Sequence, residues 1–410
     1  MQTETETAEK FFTKPLLIIF VTIFIDLLGF GMVIPLLPFF AQDFHATPFE
    51  IGLLVSSYSW MQFFFSPIFG SLSDKYGRRP ILFFSIIGSG LGYLMIGLAG
   101  TLWMVFAGRV LGGITGANLS TAQAYIADVT TLENRAKGMG LFGMAFGFGF
   151  IMGPAMAGIL SKFGHEVPFF VAAGLSFANA LLLYFILPET RKFGEAVTEK
   201  KGRITELLES VKDSRFAVIT LEYFLLVMAF SMMTTAFPLY TGHSFGYDAE
   251  QTGYVLAYVG LLAVIMQGGL LGKLAQKFGE ANLVVVGCSL LVLSFVAVPF
   301  VSKDSYGLLG LLAGAGCFAI GNSISSPALT SLASKAAGEF DQGKALGVMQ
   351  SAASLARAIA PTVTGILLNN AQNQIDDLSL RRNFWTAGAI MLATVFVAVY
   401  YIVQHRKELV

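Results

Sequence analysis

Residues 15–40 read PLLIIFVTIFIDLLGFGMVIPLLPFF, an unbroken apolar run with one charged residue, Asp26. At helical rise the run is about 39 Å long, enough to cross the roughly 30 Å hydrocarbon core of a bilayer. It is too long for a secretory-signal core and lacks a small-residue cleavage site, so it is expected to stay in the protein. Working outward, eleven similar runs follow, at about 50–72, 81–98, 102–127, 137–161, 168–187, 216–241, 250–272, 281–301, 307–331, 344–369 and 384–403. Strict alternation is absent, which excludes a β-barrel. Internal Gly and Pro are tolerated where neighbouring helices satisfy the freed backbone groups. Composition agrees: 55% of the 410 residues are apolar and 13% charged, against about 25% in soluble proteins. The expected fold is an all-α polytopic membrane protein with twelve transmembrane helices.

The 26 basic residues cancel the 26 acidic ones, so no nucleic-acid partner is implied. Lysine and arginine are nonetheless sorted. Twenty of the 26 fall on one side, among them Lys14, Lys75, Arg78, Arg79, Lys273, Lys277 and Lys335. Positive charge marks the cytoplasmic side, so both termini are expected there, in an inner or plasma membrane. The long hydrophilic stretch 188–215 separates 1–187 from 216–410, six spans each, and its Lys200–Arg215 part suits a short amphipathic surface helix. The two parts echo each other. Gly70-Ser71-Leu72-Ser73-Asp74-Lys75-Tyr76-Gly77 is matched weakly by Gly272-Lys273-Leu274-Ala275-Gln276-Lys277-Phe278-Gly279, and Gly153-Pro154 with Gly158 by Ala360-Pro361 with Gly365. Two pseudo-symmetric six-helix bundles suit a transporter whose halves rock about a midplane site.

The first loop continues through Arg78, Arg79 and Pro80; the fourth span carries Gly108-Arg109-Val110-Leu111-Gly112-Gly113 and then Asp128; the fifth carries Gly149, Gly153, Pro154 and Gly158. With these motifs the whole chain resembles the major facilitator superfamily, and within it the twelve-helix drug–proton antiporters. Asp26 and Gln62 add a likeness to the tetracycline-exporter group. Three positions depart from that group: Gly92 stands for its span-three carboxylate, Ala263 for its span-eight histidine and Leu291 for its span-nine carboxylate. A site for metal-chelated tetracycline is therefore expected to be dismantled. The resemblance implies proton-coupled export of amphipathic organic molecules by alternating access, with a proton gradient instead of a cofactor and the chain acting as a monomer.

Asp26 lies about 16 Å into its span, where an ionised carboxylate costs about 2.5–3.5 kcal/mol on the gentler insertion scale. It is the expected proton-coupling residue, the alternative being an acid locked to a structural partner. Arg109 either pairs with Asp26 or satisfies backbone carbonyls of span one near Gly29, Gly31 and Pro35. Glu222 and Arg357 are the embedded charges of the C-terminal part, each a candidate for substrate or gate. Tyr58, Gln62, Asn118, Gln123, Met232, Tyr254, Tyr258, Asn322 and Gln350 complete the expected substrate cavity. Gly70, Asp74, Gly77, Arg78, Arg79 and Asp128 form the expected inner gate, with Asp74 capping the N-terminus of span eleven and Arg78 pairing with Asp128. Gly149, Gly153, Pro154 and Gly158 are expected to let helices approach closely.

Other readings are weaker. A carrier of one metabolite, sugar or lipid is possible on the same fold. A membrane receptor is expected to carry a signalling domain. No nucleophile–base arrangement suggests an enzyme. Gly338–Ala345 mimics a phosphate loop but has Ala345 at the Ser/Thr position, and reads as a turn. Cys288 and Cys317 sit in apolar stretches as small core residues. His45, His165, His243 and His405 lack ligand spacing, so no metal site is expected.

Overall fold

Threonine starts three of the helices. Thr13 and Thr101 accept from the N–H groups of Leu16 and Met104, and Thr47 forms a reciprocal capping box with Glu50. Asp248 and Gln251 form a second box. Such caps satisfy orphaned N–H groups just outside the apolar runs, so the helices overrun those runs. The computed structural model describes residues 13–131, 135–190, 214–336 and 338–404. The helices are α1 (Lys14–Gln42), α2 (Pro48–Tyr76), α3 (Arg78–Gly97), α4 (Leu102–Thr115), α5 (Leu119–Val129), α6 (Arg135–Ser161), α7 (Val167–Ile186), α8 (Ser214–Phe245), α9 (Ala249–Ile265), α10 (Leu271–Phe278), α11 (Glu280–Ala297), α12 (Gly307–Ala336), α13 (Gly338–Leu368) and α14 (Asp377–Gln404).

All twelve expected runs fall on helix. Among the described residues, nine helices are long and apolar enough to cross a membrane. The run at 50–72 falls short because Ser56, Ser57, Ser59, Gln62, Ser66 and Ser71 dilute it. The run at 102–127 is interrupted: a 3-10 turn at Gly116–Asn118 separates α4 from α5. A π turn at Met266–Leu270 likewise joins α9 to α10. The sequence reading contained neither break. The stretch 338–345, read as a turn, instead opens α13. Most of the expected amphipathic helix at 200–215 lies outside the described residues.

Asp43 after α1 meets His165 before α7 at 2.7 Å, whereas Glu189 after α7 accepts the backbone N–H groups of Arg78 and Arg79. These bonds define two ends of the molecule. The end of Arg78 and Glu189 also carries Lys75, Lys277 and Lys335 and is called the basic end below. Glycine sets the closest packing. A Cβ on Gly31 would lie 2.5 Å from the Gly149 carbonyl, and one on Gly153 would lie 2.5 Å from Gly31, so α1 and α6 touch backbone to backbone.

Residues 13–190 meet 214–404 mainly through α2 with α13, α6 with α9, and α1 with α8. The named contacts lie away from the basic end. Gly52 abuts the backbone of Pro361 and Gly365, and Thr362 bonds Ser56 at 2.9 Å. Gly253 lies against Pro154 and Gly158, and Lys162 pairs with Glu250 at 2.9 Å. Glu250, then Tyr254, hold the Lys162 ammonium above its ordinary pKa by hydrogen bonding. Nearer the basic end, among the described residues, a side chain added at Gly268, Gly269, Gly272 or Gly347 would meet nothing within 4 Å. The described contacts thus close one end of the molecule more tightly than the other.

Candidate functional site

The break in the fourth run builds the centre of the site. A 3-10 turn leaves backbone groups without α-helical partners. Gln62 Nε2 of α2 donates to the Gly116 carbonyl at 2.9 Å, and Tyr58 lies against the missing side chains of Gly112 and Gly116 with its ring and of Gly113 with its backbone. The turn aims Asn118 across the interior, where its Nδ2 donates to Asp26 Oδ2 at 3.4 Å. Asp26 is 8% exposed, so its carboxylate has exchanged bulk water for one amide and an aromatic surround. Tyr93 forms part of that surround, its hydroxyl packed beside Gly29.

Arg109 does not pair with Asp26 among the described residues. Its Nε and Nη2 donate to the carbonyls of Leu54 and Val55 at 3.5 and 3.4 Å, and its guanidinium lies 4.6 Å from the centre of the Tyr58 ring. The backbone-satisfying reading is therefore the observed one, but the carbonyls belong to α2 and not to the first span. The reason is proximity: α4 packs on α2 with small Gly112 and Gly113 at the crossing.

Glu222 and Arg357 do not meet either. Glu222 is 2% exposed and near enough to Cys288 of α11 to act on it, and its Oε1 has no hydrogen-bond partner. It is buried inside the C-terminal helices, which corrects its expected place in a cavity shared with Arg357. Arg357 is half-buried, with Tyr223 of α8 and Tyr58 of α2 as the groups that act on its charge.

Of the other expected cavity residues, Gln62, Gln123 and Gln350 come together. They line a cavity of about 20 Å³ with Ser66, Ser120 and Ser354, between α2, α5 and α13. Met232 is fully buried in the apolar core, a correction explained by its burial on the packed face of α8. Tyr254 is 47% exposed beside Lys162, far from Asp26 along the bundle, and so is a rim residue. Tyr258 lies with its hydroxyl against Gly316 of α12, and Asn322 is half-buried on that helix.

At the basic end Arg78 is 2% exposed and joins three groups: Asp74 Oδ1 at 2.6 Å, Ser73 Oγ at 2.6 Å and Asp128 Oδ2 at 3.0 Å. The expected Arg78–Asp128 pair is present. Arg79 bonds the Tyr184 carbonyl and lies on that ring, and a Cβ added at Gly70 would lie 3.8 Å from Ser120 Oγ. Gly77 must be glycine. Its φ is +101°, and a Cβ would strike the Glu189 carboxylate at 2.5 Å. Glu189 was missed in the sequence, although an acid in Pro188-Glu189-Thr190 just past a span at a basic face is a readable signal. The expected contact of Asp74 with the start of span eleven falls on residues 338–344, whose side chains lie outside the described residues.

The fifth-run motif is shared between neighbours. Gly149 and Gly153 fit against α1, while Pro154 and Gly158 fit against α9. A helical membrane fold with charges buried at mid-span on several helices is the architecture of a transporter. The model of the Major Facilitator Superfamily matches residues 19–361, and the chain belongs to that superfamily of membrane transporters. It is 30% identical over 403 residues to the "Tetracycline resistance protein, class H" of Pasteurella multocida, covering 96% of this chain and 97% of that relative. It is also 30% identical over 384 residues to "Multidrug resistance protein 2" of Bacillus subtilis, covering 92% of each. Its fold is similar to that of the human organic anion transporter MFSD10 (TM-score 0.70, 23% identity, 94% of this chain and 99% of that one).

Proposed function

We propose that the protein is a proton-coupled antiporter that exports amphipathic organic compounds. It crosses the membrane twelve times as two six-helix halves, acts as a monomer and keeps both termini in the cytoplasm. The observation that carries this reading is Asp26: a buried carboxylate held by Asn118 at the break in the fourth run. A carboxyl in that setting can take up a proton as its amide partner turns away and release it as the partner returns. Substrate binds between the halves near Tyr58, Gln62, Gln123 and Gln350. The names of the relatives, tetracycline and multidrug resistance proteins, support export.

In the proposed cycle, the contacts at Gly52–Gly365, Gly158–Gly253 and Lys162–Glu250 hold the outer side shut while the basic, cytoplasmic end admits substrate. Rocking breaks them and brings Asp74 to span eleven. Tetracycline itself is a poor fit. At Gly92 a Cβ would lie 2.9 Å from the Gly108 carbonyl and 3.1 Å from Gly112 Cα, so no carboxylate fits there without separating α3 from α4. Leu291 is 2% exposed in an apolar core. Proteoliposomes with an imposed pH gradient test the reading against a panel of drugs, sugars and lipids. Gradient-driven movement of lipophilic drugs by wild type supports it. Movement of sugars or lipids alone overturns it, as does strong transport of tetracycline with no other drug.

A further inference from the structure

Asp26, Arg109, Arg78 and Arg357 lie buried or half-buried among the helices, and each has a different answer. Asp26 has Asn118; Arg109 has two carbonyls and a ring; Arg78 has two carboxylates and a hydroxyl. Arg357 has no hydrogen bond and no ion pair among the described residues. It lies about 29 Å from the start of α13 and about 17 Å from its end, well inside the span. The groups near enough to act on its charge are the phenol rings Tyr58 and Tyr223, one from each half of the chain, with no carboxylate among them. Tyr58 is within electrostatic reach of Arg357 and also carries Arg109 on its ring, with the Phe30 ring 5.1 Å away. Glu222, the other embedded charge of this region, is buried among the C-terminal helices and forms no ion pair with Arg357.

A guanidinium keeps its charge at any physiological pH and carries five donors in a flat fork that fits a carboxylate or sulfonate. Arg357 is half-buried, so its free donors reach open space inside the span, where a ligand can use them. We infer that Arg357 is the docking point for an anionic group of the cargo, and that the preferred substrates are amphipathic organic anions whose aromatic body lies on the side of the half-buried Tyr223. Arg109 is less suited to that task, because it is 2% exposed, with its Nε and Nη2 given to α2 carbonyls and its face to Tyr58. The inference rests on the exporter reading and adds the charge of the cargo.

Fluorescein and rhodamine 6G share a xanthene skeleton and carry opposite charge, so they isolate this variable. In proteoliposomes under a pH gradient, wild type is expected to take fluorescein with the lower KM. Arg357→Gln should raise that KM about ten- to hundredfold, the loss of a charge-assisted hydrogen bond, and Arg357→Lys should recover part of it. Transport of rhodamine 6G in preference to fluorescein overturns the inference while leaving the exporter reading intact. An unchanged fluorescein KM in folded Arg357→Gln also overturns it. The wild-type comparison of the two dyes decides the matter even if that variant does not fold. If neither dye moves, the inference falls, and the wider substrate panel judges the exporter reading separately.

Discussion

The loops at Gly77 and Gly279, one in residues 13–190 and one in 214–404, share a backbone turn but not its electrostatics. Gly77 and Gly279 occupy matching places in the two echoing loops. Each ends one helix and starts the next, with φ, ψ of 101°, 152° and 77°, 150°. Around Gly77 the loop is knitted by Asp74, Arg78, Asp128 and Glu189. Around Gly279 the matching positions hold Gln276 and Glu280, and the named bond is an exposed one from Lys335 to Glu280. The mid-span charges differ in the same sense: those of the first region are answered by neighbours, whereas among the described residues Arg357 has no hydrogen bond or ion pair and Glu222 Oε1 is buried without a partner. A backbone turn needs only a glycine with the right dihedrals, so it survives divergence. A buried ion network needs every member, so losing one removes the reason for the others.

Breaking the first region at Asp26 should have the largest effect. Asp26→Asn retains the bond to Asn118 with an amide of the same shape, so the protein is expected to fold but to lose gradient-driven transport altogether. Equal uptake by variant and wild type under an imposed pH gradient would remove Asp26 from the coupling role. Next comes a paired test of the two loops. Arg78→Ala leaves the Asp74 carboxylate buried and should cost about 3–5 kcal/mol. Lys335→Ala removes an exposed partner and should cost at most about 1 kcal/mol. Thermal unfolding in detergent measures both, and equal losses would show that the loops are more alike than their ion pairs suggest.

Two substitutions of opposite sign sharpen the comparison further. Gln62→Ala orphans the Gly116 carbonyl and should destabilise by about 1–3 kcal/mol. Glu222→Met deletes an oxygen with no hydrogen-bond partner and should leave stability unchanged or raise it by up to about 1–3 kcal/mol. A marked loss for the second would reveal a polar partner of Glu222 in another conformation. The smallest effect belongs to Lys162→Ala at the exposed contact with Glu250, a slight loss that is weaker still in high salt. Because the folded state raises the Lys162 pKa, this contribution is full below the unfolded value of about 10.4. It is lost as pH climbs through the raised value. A melting curve at pH 8 and pH 11, with and without the substitution, checks the sign.

The apolar runs by themselves determined that the chain is helical and lies in a membrane, because a bilayer core leaves a backbone few ways to satisfy its polar groups. Asp26 and the Arg78–Asp128 pair were also legible: a charge deep in an apolar run, or acids and arginines at fixed spacing beside a turn, can be recognised one residue at a time. The partners of the mid-span charges were not. Whether Arg109 turns to Asp26 or to the Leu54 and Val55 carbonyls depends on how closely Gly112 and Gly113 let α4 approach α2. That Glu222 and Arg357 point to different neighbours depends on the rotation of α8 and α13, and a helix apolar on nearly every side gives no periodic signal from which to read rotation. The break at Gly116–Asn118 was decided by tertiary structure for a related reason: the 3-10 turn is held by Gln62, more than fifty residues away in the chain.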